Sequence, residues 1–338
     1  MSCRCADRME TGATDRKIDQ LIHLMVKNAT VVVPGPKIAS QIGVSNSTIW
    51  LWIEKLRRLG VAIQGVTASG YQLRSLPDLL VPSLIRPELE ENQIGWKLIH
   101  YFRTGSTNDV ALRLAAQGAP HGTVVVAEEQ TTGRGRMGRK WFSEKSSGIY
   151  CSIILRPPLS PALAPVLTLM AGVSACQTLR SVTGLAVDIR WPNDLLINNR
   201  KVCGILTEMS AEVDRLHAVV VGIGINVNHQ AMPAEIKAIA TSLALESGKP
   251  YSRANILILF LKELERYYET LLTEGSGAIV KAWAAASTYA SGKRIRVVSH
   301  SGEFTATTDG LDSHGALRVI RDDGKRDLLV SGEILELK

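Results

Sequence analysis

Gln130-Thr131-Thr132-Gly133-Arg134-Gly135-Arg136-Met137-Gly138-Arg139-Lys140-Trp141-Phe142 comes just after the apolar run Thr123 to Ala127. The eight residues from Gly133 to Lys140 hold three glycines and four basic side chains. Glycine reaches positive φ, so successive N–H groups can curl round an anion. Arginine forks onto phosphate or carboxylate oxygens. The run therefore reads as a strand followed by an anion-holding loop, of a kind suited to a polyphosphate or an acyl adenylate. It is not a Walker loop: Gly133 and Gly138 have the right separation, but Arg139-Lys140 stands where Lys-Ser/Thr is required. A disordered Arg/Gly tail is long and repetitive, whereas this run lies between two strand-like segments. A solvated basic loop is the bland alternative, although such a loop has no need of Gln130 or of Trp141-Phe142.

Around this loop the sequence reads as α+β. Strands are expected at Trp96–Arg103, Thr123–Glu128, Gly148–Leu155, Val187–Trp191, Asp194–Asn198, Lys201–Met209 and His217–Val227, with helices at Asn108–Gln117, Ala162–Ser181, Arg253–Leu272 and Gly277–Ala286. So few helices among so many strands suit a mixed sheet with helices on one side. Trp191 to Leu206 reads as a hairpin turning at Asn198-Asn199, both of which tolerate positive φ. That turn pairs Leu196 with Lys201 and Asp194 with Cys203, and puts Asp194 and Lys201 diagonally on one face. A lysine within an apolar strand is costly unless it serves an anion; a surface ion pair is the alternative. Gly105-Ser106-Thr107-Asn108-Asp109 precedes a helix. Alone it is read as a capping box of Ser106 and Asp109, with Thr107 and Asn108 offering donors and acceptors to a polar ligand as the functional alternative. Asn226, closing Gly222-Ile223-Gly224-Ile225-Asn226, is open between turn residue and purine contact. No Ser/His/Asp or metal-ligand cluster emerges.

The flanks differ in kind. Residues 1–75 hold ten Lys/Arg against five Asp/Glu, whereas the rest of the chain, with its 29 against 27, is nearly neutral. A basic first quarter suggests a nucleic-acid module. Within it, a helix with Ile18, Leu21, Ile22 and Met25 on one face is followed by a short helix Pro36–Ile42. A third helix, capped by Ser45, carries Ile49, Trp52, Ile53, Leu56 and Leu59 inward. Runs Val61–Val66 and Tyr71–Arg74 flank the turn Thr67-Ala68-Ser69-Gly70. This is a winged helix-turn-helix; a protein-adaptor module is the alternative. Ser45, Asn46, Ser47, Thr48 and Trp50 would face the major groove, with Lys55, Arg57 and Arg58 on phosphates. The start of that helix has no Arg or Lys to fork onto guanine. Five short strand runs from Ile295 to Leu337 suggest a small β-barrel of SH3 type. The expected domains are a disordered tail 1–15, a winged helix 16–76, a linker 77–88, a catalytic domain 89–288 and the barrel 289–338.

The 338 residues suffice for several packed cores. Five cysteines without zinc-type spacing point to reduced thiols and a cytoplasmic protein. The uncharged stretch Leu159 to Leu179 is expected to be a buried helix rather than a membrane span.

Taken in order, Ser106-Thr107-Asn108, the run Glu128 to Arg139, Trp191-Pro192-Asn193-Asp194, Lys201-Val202-Cys203-Gly204-Ile205-Leu206 and Gly222 to Asn226 resemble the motif set of biotin–protein ligases. With the winged helix in front, the chain resembles the bifunctional biotin ligase and biotin operon repressor family, over nearly everything from residue 17 onward. The resemblance implies a central biotin/lipoate ligase-type α+β domain. It implies that biotin and ATP, with Mg²⁺, give biotinyl-5′-adenylate, which a lysine of a biotin carboxyl carrier domain then attacks. By the same resemblance Ser106, Thr107, Asn108 and Gln130 bind the ureido ring, and Arg134, Gly135 and Arg136 close over biotin and the adenylate phosphate. Lys201 holds the carboxylate and α-phosphate oxygens, and catalysis rests on Lys201 and Arg136. Asn193, Asp194 and Asn226 line the nucleotide side with Arg139, and Trp141 is part of a lid. The family pattern adds an adenylate-promoted homodimer on operator DNA. The rival readings are a lipoate ligase or octanoyl transferase of the same fold, and a repressor that senses biotin without ligating it.

Overall fold

The computed structural model describes residues 3–66, 69–75, 78–89, 91–211, 216–299 and 302–337. Thr67-Ala68 of the expected wing turn and Leu76-Pro77, where the expected winged helix meets the expected linker, lie outside these.

The first quarter forms α1 (Cys3–Lys27), α2 (Gly35–Ile42), α3 (Asn46–Arg58) and the antiparallel hairpin β1 (Ile63–Val66) and β2 (Gly70–Leu73). Ile18, Leu21, Ile22 and Met25 are buried against Ile38, Ile49, Ile53 and Leu56, as their helical spacing requires. Gly43, at φ 71, ends α2, and the Ser45 hydroxyl accepts the Thr48 N–H at 3.1 Å to start α3. Helix α1 runs back to Cys3, where the sequence reading places a disordered tail. Asp15 is 3% exposed and accepts the Phe102 N–H at 3.2 Å. A polar stretch without apolar periodicity gives no sign of a partner so distant in the chain.

The segment expected to be a linker is folded. Helix α4 (Pro82–Ile85) is followed by a 3₁₀ turn, and Leu80, Ile85 and Leu89 are buried. The central sheet comprises β3 (Leu98–Tyr101), β4 (Thr123–Ala127), β5 (Gly148–Leu155), β6 (Asp188–Arg190), β7 (Asp194–Ile197), β8 (Arg200–Ala211) and β9 (Leu216–Asn226). Its order is β3-β4-β5-β9-β8-β7-β6, with β3 and β4 parallel and the remaining neighbours antiparallel.

Helices lie on both faces of this sheet, not one. Helix α5 (Thr107–Ala116) packs Val110, Ala111 and Ala115 on Val125, Ile154 and Val220. The opposite face, with Val124, Val126, Ile153 and Val221, packs against α6 (Ala164–Thr183), α8 (Arg253–Glu274) and α9 (Ser276–Ala286). Every residue of β4 and β5 is buried, so these strands show no alternation that would have revealed a second covered face. Residues Pro161–Thr183 are long and apolar enough to cross a bilayer, yet α6 is a core helix between the sheet and its neighbours. A short helix α7 (Leu243–Ser247) precedes α8. The C-terminal strands β10 (Ser291–Ser299), β11 (Gly302–Leu311), β12 (Leu317–Arg321), β13 (Arg326–Leu329) and β14 (Glu333–Glu336) make one antiparallel sheet ordered β13-β12-β11-β10-β14, of SH3-like build.

A buried ion pair knits three of these parts together. Glu128, fully buried at the end of β4, accepts the Leu80 N–H at 2.8 Å and the Arg253 guanidinium at 2.8 Å. His100 lies 3.4 Å away, and Arg253 also binds Asp78 at 3.1 Å. Burial alone would raise the Glu128 carboxyl. Arg253, His100 and the Leu80 N–H overcome this and hold it at about 2 rather than 4.5. A folded value below the unfolded one stabilises fully above pH 4.5, and that contribution is lost as pH falls towards 2. Removing one partner of a buried pair costs about 3–5 kcal/mol. Glu128→Gln is expected to lose stability in that range at neutral pH, measured by urea unfolding, and to lie nearer to wild type at the acid end of the window. A wild-type midpoint in Glu128→Gln at neutral pH contradicts this.

Candidate active site

The site begins with a strand. In Gly222-Ile223-Gly224-Ile225-Asn226 the strand period of two sends Ile223 and Ile225 into the core and turns Gly222, Gly224 and Asn226 to the other face. Gly204 of β8 pairs with Gly224. Together they make a floor without side chains, and neighbours lie directly on its backbone. A Cβ on Gly222 would stand 2.0 Å from Asn108 Oδ1, and one on Gly224 2.4 Å from the Trp141 indole.

One end of this floor is polar and closed. Ser106, Thr107 and Asn108 at the head of α5 are all at most 4% exposed. The expected capping box is absent, since Ser106 makes no cap hydrogen bond. Gln130 acts instead: its Oε1 accepts the Thr107 N–H at 2.8 Å and lies 3.1 Å from Thr107 Oγ1, while its Nε2 donates to Ser143 Oγ at 2.9 Å. Asn108 Nδ2 donates to Glu208 at 2.7 Å and to Leu206 O at 3.2 Å. The Ser152 hydroxyl sits 2.5 Å from Asn108 Oδ1 and 2.8 Å from Thr107 Oγ1. Ser152 and Glu208 thus hold Thr107 and Asn108 in place, and the sequence reading passed over both.

The other end is charged. Asn198 and Asn199 turn the β7–β8 hairpin at φ 50 and 61, and Leu196 pairs with Lys201 as expected. Asp194, however, faces Gly204 rather than Cys203, because a bulge inserts one residue beyond Leu196. The bulge still leaves Asp194 Oδ1 2.6 Å from Lys201 Nζ. Arg190 reaches the other Asp194 oxygen at 2.8 Å. Burial would raise the Asp194 carboxyl, but Lys201 and Arg190 together hold it below its ordinary value. Two cations meet one carboxylate, so this wall carries net positive charge. Asn193 Nδ2 donates to Ile205 O at 2.8 Å. Asn226 is the last residue of a strand, not a turn residue, and its amide donates to Thr241 O at 2.9 Å. That bond holds the segment whose Ile239 O accepts the Lys201 N–H at 2.8 Å.

The glycine-arginine loop covers the floor. It closes on itself through Gly135 N–H to Arg139 O at 2.7 Å and Trp141 N–H to Gly133 O at 2.8 Å. Its arginines diverge. Arg134 binds Asp109 at 2.5 Å and Glu208 at 3.4 Å on the α5 side. Arg136 donates to Asn193 Oδ1 at 3.2 Å and Gly332 O at 3.3 Å, and burial lowers its guanidinium from the ordinary value. Arg139 pairs with Glu333 at 3.0 Å. Trp141 lies on Gly224 and Gly204, with Lys201 Nζ 5.4 Å from its ring. Every residue that the sequence reading assigns to ligation lines the resulting cavity of 560 Å³, including both Arg136 and Lys201. Such a volume suits a small-molecule ligand. Gly332 and Glu333 complete its wall from the C-terminal sheet, and no motif pointed to them. Ser45, Asn46, Ser47, Thr48 and Trp50 lie elsewhere, on the start of α3. No group of three His, Cys, Asp or Glu that could hold a metal occurs among the described residues.

Fold and site define a biotin/lipoate-type protein ligase joined to a helix-turn-helix. The biotin/lipoate A/B protein ligase family model matches residues 101–226, a helix-turn-helix model 18–72, and the biotin protein ligase C-terminal domain 290–335. The bifunctional ligase/repressor BirA of Bacillus spizizenii is 40% identical over 306 residues, covering 90% of this chain and 94% of that protein. Its Escherichia coli namesake is 28% identical over 89% and 91% of the two chains. A structure of biotin protein ligase from Aquifex aeolicus in complex with biotin and ATP matches with a TM-score of 0.61 and 31% identity, over 71% of this chain and 97% of that one. The chain belongs to the biotin–protein ligase family, in its bifunctional ligase/repressor branch.

A methyl group on the floor cannot coexist with the indole. Gly224→Ala is expected to push Trp141 towards water and red-shift the tryptophan emission, a shift absent when Trp141→Phe is added. An unchanged spectrum in a folded Gly224→Ala protein contradicts this placement.

Proposed function

We propose that this protein activates biotin with ATP to biotinyl-5′-adenylate and passes the biotinyl group to a lysine of a biotin carboxyl carrier domain. The observation that carries the reading is one cavity with a buried hydrogen-bonding end, an apolar glycine floor and a cationic end. The ureido head suits the cluster of Ser106, Thr107, Asn108 and Gln130, which line that end. A lipoyl or octanoyl group offers no donors or acceptors that this polar end could use. This favours biotin over the lipoate ligase alternative.

In the first step the biotin carboxylate attacks the α-phosphorus of ATP and pyrophosphate leaves. In the second, the carrier lysine attacks the carbonyl carbon and AMP leaves. The first step brings two anions together, so fixed cations supply much of the catalysis. Lys201, on the net positive wall, faces the carboxylate and α-phosphate oxygens, and Arg136 supplies a half-buried guanidinium beside Asn193. Arg134 and Gly135 close over biotin, Arg139 and Asp194 flank the nucleotide with Asn193 and Asn226, and Trp141 shields the anhydride from water. A pocket so equipped is wasted on a sensor that never ligates. Mg²⁺ would enter with ATP and neutralise phosphate charge there, Asp194 being already shared by Lys201 and Arg190. The buried, free thiols of Cys151, Cys176 and Cys203 suit a cytoplasmic setting.

The winged helix supports a second role, a biotin-responsive repressor that binds operator DNA, with the adenylate promoting a homodimer. Ser45, Asn46, Ser47, Thr48 and Trp50 form the reading end.

Lys201→Met is expected to slow pyrophosphate release with biotin and ATP by roughly 10²–10³-fold, the usual effect of removing one preorganised charge stabiliser. Adenylate synthesis at the wild-type rate rejects the role given to Lys201. An apo carrier domain should gain the mass of biotin and not of lipoate. In gel shifts, promoter fragments should be retarded more strongly with biotin and ATP present than without; no retardation under either condition removes the repressor role.

A further inference from the structure

Helix α3 carries an apolar patch where a DNA-reading helix usually carries polar groups. The hydroxyls at its polar start bond one another. Ser45 Oγ lies 2.8 Å from Ser47 Oγ and 2.7 Å from Thr48 Oγ1, and also accepts the Thr48 N–H. The Asn46 amide folds back over α2, where its oxygen would stand 2.7 Å from a Cβ on Gly35. Beside them Trp50, 52% exposed, and Leu51, 58% exposed, turn large apolar side chains to solvent. The basic residues that the sequence offered for phosphates are also partly committed. Lys55 pairs with Asp15 at 3.6 Å and lies 4.1 Å from the Phe102 ring, against the ligase domain. Arg57 binds Glu54 at 2.6 Å and Ile63 O at 2.9 Å. Helix α3 thus presents no arginine or lysine over its first two turns to fork onto guanine.

We propose that Trp50 and Leu51 read the C5-methyl groups of thymine in the major groove, so that the protein selects its site by apolar contact. This rests on the DNA-binding role proposed above. The thymine methyl is the apolar group that base edges present in that groove. DNA is the occupant chosen for the patch because the first 75 residues hold ten basic side chains against five acidic ones, and because the patch lies on the second helix of the helix-turn-helix, the one that enters the groove. A second copy of the chain packing on the same patch is the competing occupant.

The test uses the full-length protein with biotin and ATP. A bound fragment is enriched from a random duplex library, then resynthesised with deoxyuridine in place of thymidine, which removes the methyls and keeps every base-pairing group. Affinities for the two duplexes are compared by fluorescence anisotropy at one salt concentration. The wild type is expected to bind the uracil duplex roughly tenfold more weakly, about the effect of two buried methyl groups. Trp50→Ala/Leu51→Ala, folded by circular dichroism, should bind both duplexes alike. Equal wild-type affinity for the two duplexes overturns the inference while leaving DNA binding intact. Discrimination that survives in the double variant overturns it as well, as does loss of self-association in that variant with no change in DNA preference. Failure to enrich any fragment removes DNA binding itself, and this inference with it.

Discussion

The molecule is organised around a sheet face that must be left bare. Helix α5 covers only the strands nearest it, with Asn108 at its head resting on Gly222, and beyond it the sheet offers Gly204 and Gly224 where other strands carry side chains. An indole and an amide rest directly on backbone there. Every other part of the site takes its position from that floor. The loop supplies its cover, the β7–β8 hairpin its charged wall, the head of α5 its polar end, and β14 the last piece of rim. Filling the floor with methyl groups would leave the fold's opposite face untouched and remove the pocket.

The charges follow a related economy. Lys201, Arg190 and Asp194 form a trio with one positive charge in excess, while the loop's arginines each rest on an oxygen partner that an anion could replace. The pocket therefore keeps its cations oriented without a ligand. Preorganisation of this sort is what makes fixed charges effective in catalysis. Glu128 and Arg253 do comparable work at a distance: their pair locks the segment entering the domain onto the end of β4, two residues before Gln130.

Much of this was legible in the sequence. Gly222 to Asn226 was read as the close of a strand, the Asn198-Asn199 turn set Leu196 opposite Lys201, and the glycine-arginine run marked the cover. The rest was hidden for identifiable reasons. A turn sets only the first pairs of a hairpin, so the bulge that moves Asp194 opposite Gly204 gave no signal. Helix α5 was expected beside the others because fully buried strands look alike on both faces. Glu128 looks like any acidic residue after an apolar strand, and its partner lies 125 positions away. Ser106 looked like a cap because the motif matched, although Gln130 performs that function.

The contribution of Gly332 and Glu333 bears on how the protein matures. The wall of the cavity is closed by a strand that leaves the ribosome long after the glycine floor, the loop and Lys201 have been translated. A nascent polypeptide can thus fold its central sheet while this wall of the cavity stands open. The cavity is completed late in synthesis, when Arg136 and Arg139 find their last partners.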